Sequence, residues 1–432
     1  GGNIDITSSK FELNNTGDKI SGGTLTVGSG SKSTLLEVSE GSIDGKATVK
    51  LNSSSFITVM GNGDVTLDSG DTWNGGVEVN GGNLTLNDIN SKNGVLSQLK
   101  GTTTINGTGL NLDNEEDQII GGTLNIGDGG TLSNLTVSKG TITEDASVNV
   151  NQNSTLTVSS SGTVELGKTS SINGNIDVQG GTFSVDSVEK AANGTFTQSG
   201  GITTIKGQGF DLNNAKDSIS GGTFNIGDGT VASEVNISQG VIQSTAVTNI
   251  NSNGKLNISG GTVSLGSDDT YNGEIDITDG ELTLKSVTKG EDGVLNQTGG
   301  ITTITGTSFG LDNVYDSVTG GTINIGNGTT ATNVSVAGGT ITSEATTNIN
   351  SNATLSLSGV GNVSLDKTDN LDGSINMSGG TLTLDNVDKN AQGTFVQTGG
   401  STTVLGTGFD LNNYQDTISK GSLTIGDGTT AS

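Results

Sequence analysis

The chain has no cysteine, no proline and no histidine, and its 18 basic residues are all lysine, because no arginine occurs among its 432 residues. Aromatic residues make up 3% and the apolar set as a whole only 29%. Each shortage removes something. Without cysteine there is no disulfide scaffold and no thiol nucleophile. Without histidine there is no Ser-His-Asp set and no His-rich metal site. So small an apolar fraction fits poorly with a globular core at this length. Absence of proline suits a chain in which every backbone N–H is needed for a ladder. Acidic residues number 45, the formal charge is −27, and no lysine cluster stands out. Nucleic acid and anionic membrane surfaces are therefore not expected partners. No run approaches the ~18 apolar residues of a membrane helix, and "GGNIDITSSKFELNN" has neither the basic start nor the apolar run of a signal peptide.

Glycine is abundant, at 72 residues, and valine, isoleucine and threonine are too frequent for a disordered chain. They are organised in a long repeat. "DKISGGTLTVGSG" begins at Asp18, "DQIIGGTLNIGDG" at Asp117, "DSISGGTFNIGDG" at Asp217, "DSVTGGTINIGNG" at Asp316 and "DTISKGSLTIGDG" at Asp416, spacings of 99, 100, 99 and 100 residues. Function is then to be sought in what a repeated unit builds. Gly1-Gly2 align with Gly200-Gly201 in mid-repeat, so the chain is expected to be a segment of a larger protein.

One period, Ile219 to Ser317, divides by internal similarity into pieces of 16, 20, 19, 20 and 24 residues. In "EIDITDGELTLKSV", Ile275, Ile277, Leu282 and Leu284 alternate with polar residues, the period of a strand with one dry face. The parity flips between Ile277 and Leu282, so the chain turns a corner at Asp279-Gly280, where sister pieces write Gly-Gly. Asn74-Gly75, Asn173-Gly174, Asn272-Gly273 and Asp372-Gly373 close the pieces with dipeptides that tolerate positive φ. A hairpin meander is one reading of such turns. Pieces of near-constant length without helical periodicity favour another, stacked parallel rungs. The predicted fold is all-β, a single-stranded parallel β-helix or β-solenoid. Its coils have 16–24 residues, five to each period of 99–100, giving about 21 or 22 coils at ~4.8 Å spacing. Residues 1–432 are expected to form one continuous solenoid, with periods at approximately 22–120, 121–219, 220–318 and 319–418 between partial copies at 1–21 and 419–432.

Several columns recur with the repeat. Trp73 aligns with Ile172, Tyr271 and Leu371, and Phe11 with Leu110, Phe210, Phe309 and Phe409, both patterns of packing positions rather than of sugar-stacking aromatics. Gln98, Gln198, Gln297 and Gln397 fall where sister coils place inward aliphatics, so their amides are expected to be buried and bonded to backbone groups of adjacent coils. The strongest polar signal is Asn-x-x-Asp, at Asn15/Asp18, Asn114/Asp117, Asn214/Asp217, Asn313/Asp316 and Asn413/Asp416. These oxygens are the only candidates for a bound ion, Ca²⁺, which takes several oxygen ligands. They lack the loop and nonapeptide signatures of Ca²⁺ sites, and Asn and Asp also close turns by bonding their own backbone, so turn closure is the favoured reading and no cofactor is expected. "IGDGG" and "IGDGT" lack the Lys-Ser/Thr and the helix of a phosphate-binding loop.

"GGTFNIGDG", "NISGGTVSLG" and "QTGGITTITG" resemble the coils of bacterial surface β-solenoids, the filamentous-haemagglutinin-like and autotransporter-passenger adhesins. The resemblance covers the whole chain through its coil grammar. It implies a right-handed, extracellular parallel β-helix at the cell surface, acting as a stalk or adhesive filament. Partners would be neighbouring repeats or copies of the chain, and surface glycans or proteins. No catalytic residue is expected, since each distinctive side chain returns every 99 or 100 positions. A polysaccharide-acting solenoid enzyme built on paired carboxylates is the alternative. An ice-binding face, hinted at by Thr302-Thr303 and Thr346-Thr347, is a third.

Overall fold

The structure is a computed structural model that describes residues 2–90, 93–429 and Ser432. It is all-β, a β-solenoid of parallel strands stacked in about 20 turns. The described chain groups into two compact units. The first comprises residues up to Lys216 together with Gly221–Thr223, and the second Asp217–Ser220 with the residues from Phe224 on.

Each turn is built from short strands whose side chains alternate between a dry interior and solvent. In the first unit Asn175–Val178 buries Ile176 and Val178 and turns Asn175 and Asp177 outward. The strand cannot slip by one residue without exposing this aliphatic pair. Registry from turn to turn stacks inward residue on inward residue. One ladder runs Gln98, Ile119, Ile142, Val164, Phe183, Thr203, and every one of these side chains is fully buried. The second unit contains the corresponding ladder, Gln297, Val318, Ile341, Val363, Leu382, Thr402, equally buried. The pairings are parallel and join residues about twenty apart, which decides against hairpins. Burial at ~25 cal/mol per Å² accrues only when a turn has neighbours, so a turn is stable only within a stack.

The ladders also correct the bookkeeping of the repeat. Five steps carry Gln98 to Thr203 in the first unit and Gln297 to Thr402 in the second, 105 residues in each case. The sequence period is 99 or 100. A period therefore falls one face short of five turns. Repeat-equivalent residues consequently lie on different ladders: Gln297 pairs with Val318, whereas Gln397 continues the ladder Leu311, Val336, Leu357, Met377. The turns are longer than the pieces cut from sequence similarity, which is why about 20 fit rather than 21 or 22.

Glycine does two separate jobs at the corners. Gly300 has φ +62°, and a Cβ on it would lie 2.8 Å from the backbone of both Asp279 and Gly280 in the turn below. Gly300→Ala is expected to cost about 2–4 kcal/mol, since it combines a strained φ with a backbone clash that no rotamer relieves. Urea unfolding checks this, and a loss under about 1 kcal/mol would show that the corner has slack. At the Asn-Gly steps the reason differs from the sequence expectation. Neither residue of Asn272-Gly273 has a positive φ, but a Cβ on Gly273 would stand 2.1 Å from the carbonyl oxygen of Gly254. Crowding by the preceding turn, rather than backbone conformation, demands glycine there.

Candidate functional site

The Asn-x-x-Asp motif folds as a turn whose Asp reaches both its own loop and the turn below. Asp316 is the clearest case. Its Oδ2 accepts the Asn313 N–H at 2.9 Å and its Oδ1 accepts the Leu295 N–H, 21 residues earlier, at 2.8 Å. Asn313 Oδ1 accepts the Tyr315 N–H at 3.1 Å, and the Asp316 N–H closes onto the Asn313 carbonyl at 3.0 Å. Asp117 holds Leu96 and Asn114, and Asp416 holds Phe395 and Asn413, in the same way. Asp18 at the N-terminal edge accepts only the local Asn15 N–H. Asn214 accepts the Lys216 N–H and donates to the Ala192 carbonyl, and Asp217 is buried in the second unit. Asp117, Asp316 and Asp416 are thus clips between consecutive turns.

A second column of clips was not singled out in the sequence. Asp71, Asp269 and Asp369 bond Val49 and Asp68, Thr248 and Gly266, and Thr347 and Asp366 respectively, again one N–H from the loop and one from the turn below. Ser170 stands in the same place and accepts only from Val148. That serine interrupts the column, which is why the spacing did not announce it. Three apolar-flanked loops of the form x-x-x-Asp are the signal that could have.

Burial raises the affinity of most of these carboxyls for a proton. Asp117 is pushed up to about 6 by burial, aided by Asp113 and Glu116, against the pull of its two N–H donors. Asp369 is pushed to about 6 by burial and the neighbouring Asp366. Asp71, Asp269 and Asp316 are raised by the same cause. Asp416 is the exception: burial works against its charge, but the Asn413 and Phe395 N–H groups and Lys389 outweigh it and hold the carboxyl low. Cations distinguish the copies. Lys289 Nζ lies 3.0 Å from Asp316 and Lys389 Nζ 3.2 Å from Asp416, and all four side chains are buried.

The glutamines behave as expected. Nε2 of Gln98 donates to the carbonyls of Gly121 and Thr123, that of Gln198 to Thr223, that of Gln297 to Thr322 and that of Gln397 to Ser422, all in the next turn. Thr402 Oγ1 completes one of these sites by bonding Gln397 Oε1 at 3.0 Å. Trp73, Ile172, Tyr271 and Leu371 are buried, and the indole N–H of Trp73 bonds the Gly75 carbonyl. Leu110, Phe210 and Phe309 are core residues, while Phe11 is 42% exposed and Phe409 packs edge-on against Phe395. The Asp of "IGDGG" folds an Asx turn, accepting the Gly130 and Thr131 N–H groups.

Among the described residues no three acidic side chains converge on one point. With their oxygens turned to backbone donors, the Asn-x-x-Asp pairs are expected to give a melting temperature unchanged by EDTA or by added Ca²⁺. A rise of several degrees with Ca²⁺ that EDTA reverses would make them ion ligands. The fold and its clips define a β-solenoid repeat protein. Compared with models of known protein families and with curated proteins, the chain matches none.

Proposed function

We propose that this chain is a structural and adhesive segment of a larger repetitive bacterial surface protein, working outside the cell as part of a filament and not as an enzyme. One observation carries the reading. The distinctive polar side chains Gln297, Gln397, Asp316 and Asp416 reach from one turn to the next through the Gln Nε2 or a carboxylate oxygen, so what recurs along the chain is the means of stacking. A charge of −27 keeps such a surface hydrated and apart from its neighbours. Partners are adjoining repeats or copies, with surface glycans or proteins as ligands. Electron micrographs of this chain and of one with an added period should show particles whose long dimension grows with repeat number; compact particles of constant diameter would overturn the proposal.

For the polysaccharide-cleaving alternative, a cleft lined by Ser244–Val247, Gly266–Asp269, Lys285 and Ser286 sets Asp268 beside Asp269. Both oxygens of Asp269 already bond Thr248 and Gly266. Incubation with acidic glycans is expected to release no reducing ends. Of the threonines that suggested an ice-binding face, Thr302 and Thr347 point into the core, and Thr303 and Thr346 are half-buried.

A further inference from the structure

In the second unit Lys389 sits with its side chain fully buried, at a turn just before the strand Phe395–Gln397. Its Nζ donates to the Gly393 carbonyl at 3.0 Å, to the Asn390 carbonyl at 3.5 Å and to Oδ1 of Asn412 at 3.0 Å, and lies 3.2 Å from Oδ2 of Asp416. An amine, a carboxamide and a carboxyl group thus meet, with the lysine and aspartate side chains shielded from water and the exposed Asn412 reaching the site from the next turn. The first unit repeats the amine and the amide. Buried Lys190 donates to the Gly194 carbonyl at 2.9 Å and to Asn213 Oδ1 at 2.9 Å. In the intervening period the partner of Lys289 is a carboxylate, Asp312, whose side chain is 57% exposed.

We propose that Lys389 and Asn412 join in an intramolecular isopeptide cross-link with Asp416 as proton carrier, and that Lys190 and Asn213 join by the same exchange, the ammonium proton of Lys190 leaving with the released ammonia as ammonium. The hydrogen bond from Nζ to Oδ1 polarises the amide, and Cγ lies one bond of ~1.2 Å beyond that oxygen. Across the 3.2 Å contact between Lys389 Nζ and Asp416 Oδ2 a proton passes from ammonium to carboxylate in a minor fraction of molecules, leaving a nucleophilic amine. Nζ then bonds Cγ while the carbonyl electron pair moves to Oδ1. Asp416 gives its proton to Nδ2 and takes one from Nζ. As the carbonyl re-forms, the Cγ–Nδ2 bond breaks and ammonia leaves. Nothing is oxidised or reduced and no co-reactant is needed. The reactive form is a minority, so the step is slow, but loss of ammonia makes it irreversible. Lys289 faces a hydrated carboxylate, a poor electrophile, and remains an ion pair. Each link would tie a turn to the one before it covalently, a reinforcement suited to a chain under tension.

Intact-mass measurement of the purified chain tests this directly. The expected mass is below that of the sequence by about 34 Da, one ammonia of about 17 Da for each link. Peptide mapping should recover branched peptides joining Lys389 to Asn412 and Lys190 to Asn213, with Lys289 in a linear peptide. Asn412→Ala should restore about 17 Da of the deficit and leave the Lys190 link, which also reports that the chain has folded. Asp416→Asn, close in shape but unable to carry the proton, should slow the Lys389 link several-fold while the Lys190 link forms at its usual rate. A mass equal to the sequence, with both lysines in linear peptides, would overturn the cross-links and leave a lysine held by hydrogen bonds alone. A deficit traced to succinimides in linear peptides would do the same. An unchanged rate in Asp416→Asn would remove Asp416 from the step.

Discussion

Replacing Asp316 by alanine is expected to lower the unfolding free energy by about 3–5 kcal/mol, the range for removing one partner of a buried pair. The size follows from what the side chain leaves behind. Its two oxygens satisfy the N–H groups of Leu295 and Asn313, and neither donor has another partner within its turn. Lys289, 4% exposed, would keep only the exposed carboxylate of Asp312 at 2.9 Å. A donor orphaned in this way costs roughly 1–3 kcal/mol, and the uncompensated ammonium adds to it. Lys289→Met should cost less, because the carboxylate then retains both backbone donors. Urea unfolding followed by far-ultraviolet circular dichroism measures both. If the two variants lose the same amount, the ion pair rather than the backbone clip is the main contribution; if Asp316→Ala loses under about 1 kcal/mol, neither is.

Acidification from pH 7.5 to 5 is expected to raise the melting temperature, the reverse of ordinary acid denaturation. Asp117 and Asp369 are held near 6 in the folded chain. Unfolded, they return to about 3.9. Between those values the folded state binds more protons than the unfolded one, so stability grows as pH falls through about 6 and the gain is complete below about 4. At pH 5 the gain is about 1 kcal/mol at Asp117, and less at the more exposed Asp369. Asp117 lies in the first unit and Asp369 in the second. Each unit should therefore gain about 2–4 °C or less. Partial discharge of a chain with net charge −27 acts in the same direction. Asp416 and Asp276 have depressed values, so the stability they contribute disappears below about pH 4 and sets the acid limit. Asp369→Ser copies the arrangement at Ser170 and should flatten the pH dependence. Melting temperatures that fall steadily from pH 7.5 to 5 would contradict the buried-carboxylate account.

Much of the turn chemistry could be read from residue types. Asn313 and Asp316 were legible as a turn because both side chains bond local backbone, and Gln297 was legible as a buried amide because it replaces an inward aliphatic in an alternating strand. Asp369 was not, since its second donor, the Thr347 N–H, lies 22 residues away and the column is broken by Ser170. The same holds for Lys389, whose ring of acceptors is assembled from its own turn and from Asn412 in the next.

The amino-acid order by itself set the alternation, the glycine corners and the repeat, and with them the solenoid, because a dry face of period two leaves a strand one way to lie. Which residues meet across turns was decided only by stacking. Each ladder step spans about 18 to 25 residues according to the loop it contains, so the sequence period and the turn count drift apart by one face. That drift places Gln397 on a different ladder from Gln297, and stacking alone brings Lys389 against Asn412, 23 residues on in the next turn.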